Sequence, residues 1–257
     1  MLDETFDVWL AALEARHARA LSRPEFLRAI RALSARYVEQ RIQLPHRSPL
    51  DSAGKRAAFA AFFAPLHFLT AREVLRALGA ARRPLDTIVD LGCGTGAAGA
   101  AWAQALDRAP QVEGVDRQGW AVDEANWTWR TLGVRGRARR GDLVSAANQL
   151  VDRTVRDTRT RLGVVLGWSV NELDTPERRR LQPLLLELGR RGCSVLIIEP
   201  LARRVTPWFD DWAAAFATAG GRAHDWKFDL ALPPRLADLD ADAGFQREGL
   251  SARTLSF

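Results

Sequence analysis

The sequence predicts an α/β domain whose mostly parallel sheet is covered by helices on both faces, preceded by an N-terminal helical lobe. Three observations predict it. Short apolar runs at 88–91, 112–115, 164–166 and 195–198 alternate with helical patterns from residue 87 onward. A glycine-rich turn follows the first run directly. Residues 1–84 show helical periodicity alone, which divides the chain into a lobe at 1–84 and an α/β domain at 85–257. With 257 residues, 47% hydrophobic and 26% charged, the chain is large enough to bury a substantial core and too apolar to be disordered.

In the lobe, Phe6, Trp9, Leu10 and Leu13 recur on one helical face between Asp3 and Ala20. Ser22 followed by Pro24 reads as an N-cap with proline in the first turn. A second helix then runs through Phe26, Leu27, Ile30, Leu33 and Tyr37. Gln43 to Pro49 holds two prolines and reads as a loop. Ser52 to about Leu78 is helical again, with Pro65 expected to kink or split it. Beyond residue 84, helices are expected over Gly96–Leu106, Ala121–Leu132 and Pro176–Leu188. Two strands, Arg222–Phe228 and Ala252–Phe257, are joined by a connection containing Pro233 and Pro234.

The net charge is +6, and all of the excess lies in residues 1–84, which carry 14 basic and 8 acidic side chains. A basic lobe beside a neutral domain suits an anionic partner such as RNA. Arginine-decorated solvated helices account for the same charge, since 35 of the 37 basic residues are Arg. No run of about 18 uncharged apolar residues predicts a membrane span. The acidic start Met1–Asp7 has no secretory pattern, and Cys93 and Cys193 are too few for a disulfide framework. A cytoplasmic protein is expected. His17, His46, His67 and His224 lack metal-ligand spacing, so no metal is expected.

The chemistry concentrates at Asp90-Leu91-Gly92-Cys93-Gly94-Thr95-Gly96, which ends a strand and opens a helix. Ligands of open parallel sheets lie beyond the carboxyl ends of the strands, and glycines there let backbone and ligand approach closely. Asp116 follows Gly96 by 20 residues at the end of the next strand, where an acid can accept hydrogen bonds from both ribose hydroxyls of an adenosine cofactor. Asp142 falls at the end of the third strand, in reach of an adenine amino group. Gly92, Gly94 and Ala97 also fit the G-x-G-x-x-A form of a nicotinamide site. Asp90 would however repel a pyrophosphate, whereas it suits a cationic sulfonium with an amino-acid tail.

These residues resemble motifs I, II and III of the class I S-adenosylmethionine-dependent methyltransferases, over about residues 84–257. The resemblance implies a Rossmann-like seven-stranded sheet with an antiparallel last strand, and S-adenosyl-L-methionine held by Asp90, Gly92, Gly94, Gly96, Asp116, Arg117, Asp142, Leu143 and Trp168. More narrowly, Tyr37, Arg41, the helix through Arg56, Ser169-Val170-Asn171-Glu172-Leu173 and Ile198-Glu199-Pro200 resemble bacterial members of the methyltransferase-like family of mitochondrial small-ribosomal-subunit proteins. That likeness extends the partner expectation from RNA to the ribosome. The cysteine cluster of the mitochondrial members cannot be built from two distant cysteines.

Methyl transfer needs alignment and water exclusion more than a fixed triad. The loop Trp168-Ser169-Val170-Asn171-Glu172 is expected beside the methyl group, with Asn171 or Glu172 orienting or deprotonating an acceptor. Glu172 also sits just before the helix start Asp174-Thr175-Pro176, where a structural role suffices. Trp208 and Trp212, with Arg203 and Arg204, either hold a planar or anionic substrate or pack on the sheet. Tyr37, Arg41, Lys55 and Arg56 are candidates to pair with a cofactor carboxylate. A non-catalytic RNA- or ribosome-associated protein that keeps this fold is the alternative to the enzyme.

Overall fold

A computed structural model describes residues 4–17, 21–39, 50, 52–157 and 159–257, with the side chains of all of these but 36–39. Arg41 and His46, and the side chain of Tyr37, lie outside the described residues. The elements begin with α1 (Glu4–His17), α2 (Arg23–Glu39), α3 (Ala53–Ala58), a π turn (Phe59–Phe63) and α4 (Ala64–Ala77). They continue as β1 (Thr87–Leu91), α5 (Ala97–Gln104), β2 (Gln111–Asp116), α6 (Gly119–Thr131), β3 (Gly136–Arg140) and α7 (Leu143–Arg156). Then come β4 (Leu162–Gly167), α8 (Thr175–Arg190), β5 (Ser194–Glu199), α9 (Phe209–Thr218), β6 (Arg222–Phe228), α10 (Pro234–Asp242) and β7 (Leu250–Ser256).

The chain divides into two compact units. One is Met1–His67 with Lys227–Leu250, and the other is Phe68–Trp226 with Ser251–Phe257. The first unit therefore recruits the segment between β6 and β7, which a division of the sequence at residue 84 does not anticipate. That segment is not a plain connection. Pro234 occupies the first turn of α10, where its fixed φ favours a helix and its missing N–H has no intrahelical partner to lose.

Within the first unit, Phe6, Trp9 and Leu13 of α1 and Ile30 and Leu33 of α2 are buried along the faces their spacing predicts. Ser22 starts α2 by donating its backbone N–H to the Glu25 carboxylate at 2.8 Å, half of a capping box. Arg235 bonds Glu14 at 2.5 Å, Arg23 pairs with Asp242, and Arg31 donates to the carbonyls of Asp242 and Ala243. Buried Asp240 pairs with Arg247, whose guanidinium lies over Phe245 at 4.5 Å. Burial, with Arg247 adding to it, pushes the half-buried His67 imidazole down to about 3, so His67 is neutral.

Pro65 does not split its helix. It cannot donate to the carbonyl of Ala61 and its ring would clash there. The preceding turn widens instead to π geometry, with the Ala64 N–H reaching back to Phe59 O. Ala53–Ala77 thereby stays one helix of 25 residues. This helix is long and apolar enough to cross a membrane, with 78% of its most apolar window buried inside the protein.

The second unit carries the sheet, in the order β3-β2-β1-β4-β5-β7-β6. Strands β1 to β5 pair in parallel and β7 lies antiparallel to β5, giving the Rossmann-like seven-stranded sheet. Side chains alternate between faces. Val89, Leu91, Val164, Leu166, Val195 and Ile197 form one continuous core with α7, α8 and α9 through Leu150, Leu181, Leu185, Trp212 and Phe216. Asp174 and Glu177 close a complete capping box at the start of α8. The edge strand β3 exposes Arg137, Arg139 and Arg140, charges that discourage another chain from pairing with it.

Candidate functional site

The carboxyl end of β1 runs into a loop fastened to β2: the N–H groups of Gly92 and Cys93 both donate to Val115 O, at 2.8 and 3.0 Å. Gly92, Gly94 and Gly96 have φ of 72°, 51° and 83°, a left-handed run that other residues adopt only at a cost. Space requires glycine as well. A Cβ on Gly92 would lie 2.6 Å from Ser169 Cβ, and one on Gly96 would lie 2.6 Å from Trp129 Nε1.

Trp129 explains the second contact. Its fully buried indole lies in a slot made by three glycines, since added Cβ atoms at Gly96, Gly114 and Gly136 would each come within 2.7 Å of it. Its Nε1–H donates to Gly96 O at 2.9 Å. An α6 side chain thus supports the base of the glycine loop. From the sequence, Trp129 reads only as a helix residue; the glycines at 114 and 136, each inside a strand, were the available signal.

Asp116 closes β2. Its Oδ2 accepts from Gly94 N–H at 2.9 Å and its Oδ1 from Gln118 N–H at 2.8 Å. Burial raises this carboxyl above its ordinary range, against the pull of those bonds. Each oxygen keeps a second lone pair for a ligand.

Asp90 has two roles in one side chain. Gly96 is the N-cap of α5 and has no side chain to offer its orphan donors. Asp90 supplies the missing acceptor from β1: its Oδ2 takes the Gly99 N–H at 2.9 Å. Oδ1 is buried and bonds nothing among the described residues. Burial raises the carboxyl to about 7, and the nearby Asp116 charge adds to the shift while Gly99 opposes it. The buried Cys93 thiol is pushed well up by burial and by Asp90, so it is a small neutral filler of the loop.

Asp142 caps α7, its Oδ1 accepting from Ser145 N–H at 2.8 Å. Arg117 reaches across to Asp142 and Glu177. Burial pushes Asp142 up, but Arg117 and Ser145 more than offset it and leave the carboxyl low. Leu143 is buried below the loop, 3.2 Å from a Cβ placed on Gly92. The loop after β4 comes to the same place: Ser169 Oγ donates to Leu91 O at 3.0 Å. Trp168 holds φ 58°, unusual for a side chain of its size, with its N–H on Ile198 O at 2.7 Å.

The two residues proposed to touch an acceptor separate. Asn171 is buried; its side-chain amide donates to Glu199 Oε2 and its Oδ1 accepts from Trp208 Nε1–H at 3.2 Å. Those bonds make it a clamp between the ends of β4 and β5. Glu172 is exposed on the next position. Trp212 is buried and stacks on Phe216 at 6.5 Å, and Trp208 packs edge-on against Trp212 at 4.8 Å, so both serve packing. Arg253 is a buried charge that sequence reading misses. It sits opposite Glu199 in the β5–β7 register, 3% exposed, over the Phe209 ring at 3.8 Å, and bonds Asp225, Thr206 and Asp210. Arg56, from the proposed carboxylate-binding set, donates its Nε–H to Leu50 O at 3.0 Å.

Asn171→Ala leaves Glu199 and Trp208 each short of a partner. It is expected to lower stability by about 2–4 kcal/mol in urea unfolding. A change below about 0.5 kcal/mol would remove the clamp.

Residues 71–156 match the family model of the methyltransferase small domain. A search of curated proteins finds no match. Among solved structures, a SAM-dependent methyltransferase from Archaeoglobus fulgidus is 14% identical, with 74% of this chain and 93% of that one covered and a TM-score of 0.46. A SAM-dependent methyltransferase from Agrobacterium tumefaciens is 16% identical, covering 75% of this chain and 61% of the other, TM-score 0.46. Precorrin 8w decarboxylase from Methanobacterium thermoautotrophicum is 17% identical, covering 72% and 88%, TM-score 0.40. The sheet order gives the chain a Rossmann-like fold, and its residues 71–156 match the family model of the methyltransferase small domain.

Proposed function

We propose that this protein is an S-adenosylmethionine-dependent methyltransferase. The observation that carries the reading is the left-handed glycine loop bonded to Asp116 at the carboxyl ends of β1 and β2, within the stretch that matches the methyltransferase small domain. The residues fit the cofactor's chemistry: Asp90 Oδ1 is a buried acceptor with no described partner, suited to a cationic tail. Asp116 retains lone pairs for two ribose hydroxyls, and Asp142, Leu143 and Arg117 border the position expected for adenine. When bound, the cofactor supplies a methyl group already activated on a sulfonium. The chain's own residues then hold, align and exclude water. Glu172 is the proposed proton acceptor, and Asn171 positions its loop.

Asp116→Ala removes both oxygens. In calorimetric titration, wild type is expected to bind S-adenosylhomocysteine and S-adenosylmethionine at micromolar concentration and not NAD. The variant is expected to bind about 100-fold more weakly, as the loss of two hydrogen bonds to a charged group implies. Binding of NAD alone would sink the proposal. The acceptor class is proposed as RNA, protein or a small molecule, sorted by transfer of radiolabelled methyl. An RNA or ribosomal partner for residues 1–84 requires RNA affinity that falls steeply with salt.

A further inference from the structure

We propose a second ligand site in the sheet-bearing unit, at the amino ends of the strands, for a small amphipathic anion. A cavity of 340 Å³ opens there between the end of α4, α5 and the sheet, within the size range of small-molecule sites. Leu75 of α4, Leu78 just beyond it, Trp102 of α5 and Leu196 of β5 line it with apolar surface. Ser194 lies on the Leu196 face of β5, two residues away, and Ser256 is the register partner of Leu196. Both line the cavity, and neither hydroxyl has a hydrogen bond to a described residue.

Arg82, Arg83 and Arg222 complete the lining, all exposed, and no acidic residue lines the cavity with them. None of the three guanidinium groups has a hydrogen bond or ion pair to a described residue. This sets them apart from Arg23, Arg117, Arg153, Arg161 and Arg253, each paired with a carboxylate. They are not helix caps either: α4 ends on the left-handed Gly79, whose N–H bonds Arg76 O at 3.0 Å. Three unneutralised guanidiniums beside an apolar wall suit a carboxylate, sulfonate or phosphate head carried on an apolar body. The site lies the length of β1 away from the glycine loop, roughly 17 Å, so it is distinct from the cofactor position.

The probe is 8-anilinonaphthalene-1-sulfonate, an aromatic sulfonate whose fluorescence rises in apolar surroundings, titrated into the full chain. Saturable binding is expected, displaced by octanoate but not by octan-1-ol, octylammonium or inorganic phosphate at equal concentration. The combined Arg82→Gln, Arg83→Gln and Arg222→Gln variant, altered only at exposed side chains, is expected to bind the probe about tenfold more weakly. Its thermal midpoint should stay unchanged. Equal binding by that variant, displacement by octan-1-ol as effective as by octanoate, or displacement by S-adenosylhomocysteine would each overturn the proposal.

Discussion

Gly96→Ala is expected to destabilise the protein by about 2–5 kcal/mol, a large part of the net stability of a domain. Two separate causes add. Alanine at φ 83° costs about 1–2 kcal/mol in backbone strain. Its Cβ would also meet Trp129 Nε1 at 2.6 Å and the α6 backbone at Ala125 Cα at 3.2 Å, overpacking that costs about 1–3 kcal/mol. The two causes are separable. In a Trp129→Leu background the clash with the indole is relieved while the strain and the Ala125 contact stay, so the Gly96→Ala cost should fall by about 1–2 kcal/mol in a double-mutant cycle read by denaturant unfolding. An identical cost in both backgrounds would show that the indole does not define the loop. Cofactor affinity should fall with Trp129→Phe, which keeps the ring and loses only the hydrogen bond to Gly96 O.

Asp90 should make stability fall as pH rises between about 4 and 7. Its folded pKa of about 7 exceeds the ordinary value of 3.8. Over that interval the folded chain keeps a proton that the unfolded chain has lost. The contribution is therefore full below pH 3.8, declines by up to about 1.4 kcal/mol per pH unit, and is gone above pH 7, roughly 4 kcal/mol in all. Asp86, held low by its hydrogen bonds from Arg161, acts in the opposite sense at lower pH. The measurement is thus the difference between wild type and Asp90→Asn in urea midpoints from pH 4 to 8. A pH-independent difference would dismiss the buried, protonated Asp90. The same proton links to ligand binding. A cationic tail beside Asp90 expels it, so affinity for S-adenosylhomocysteine should rise by up to about tenfold per pH unit from pH 5 to 7 and level off above.

What the sequence made legible was whatever depends on neighbours along the chain. Ser22 with Pro24, and Asp174 with Pro176, mark helix starts through contacts three residues apart. The 20 residues between Gly96 and Asp116 are one helix and one strand of nearly fixed length, so the acid could be placed at the loop before any coordinates. What stayed hidden depends on residues far apart in sequence. Gly96 from the loop after β1, Gly114 from β2 and Gly136 from β3 make sense only as one slot around Trp129. Glu199 and Arg253 meet through antiparallel register, which composition does not reveal. Asn171 has the residue type of a catalytic group, and only its bonds to Glu199 and Trp208 show a clamp. Pro233-Pro234 reads as a breaker unless the second proline is recognised as a first helical turn.

The discontinuous first unit has a consequence for the newborn chain. Phe62, which stacks on Phe245, and Arg23, which pairs with Asp242, are translated before the whole of Phe68–Trp226 intervenes. At about 5–20 residues per second, that stretch occupies the ribosome for roughly 8–30 s. For that interval α1 and α2 wait without their ion pairs to α10, while β1 to β5 can already assemble. The pairs that tie α1 and α2 to α10 are therefore among the last contacts the chain can close.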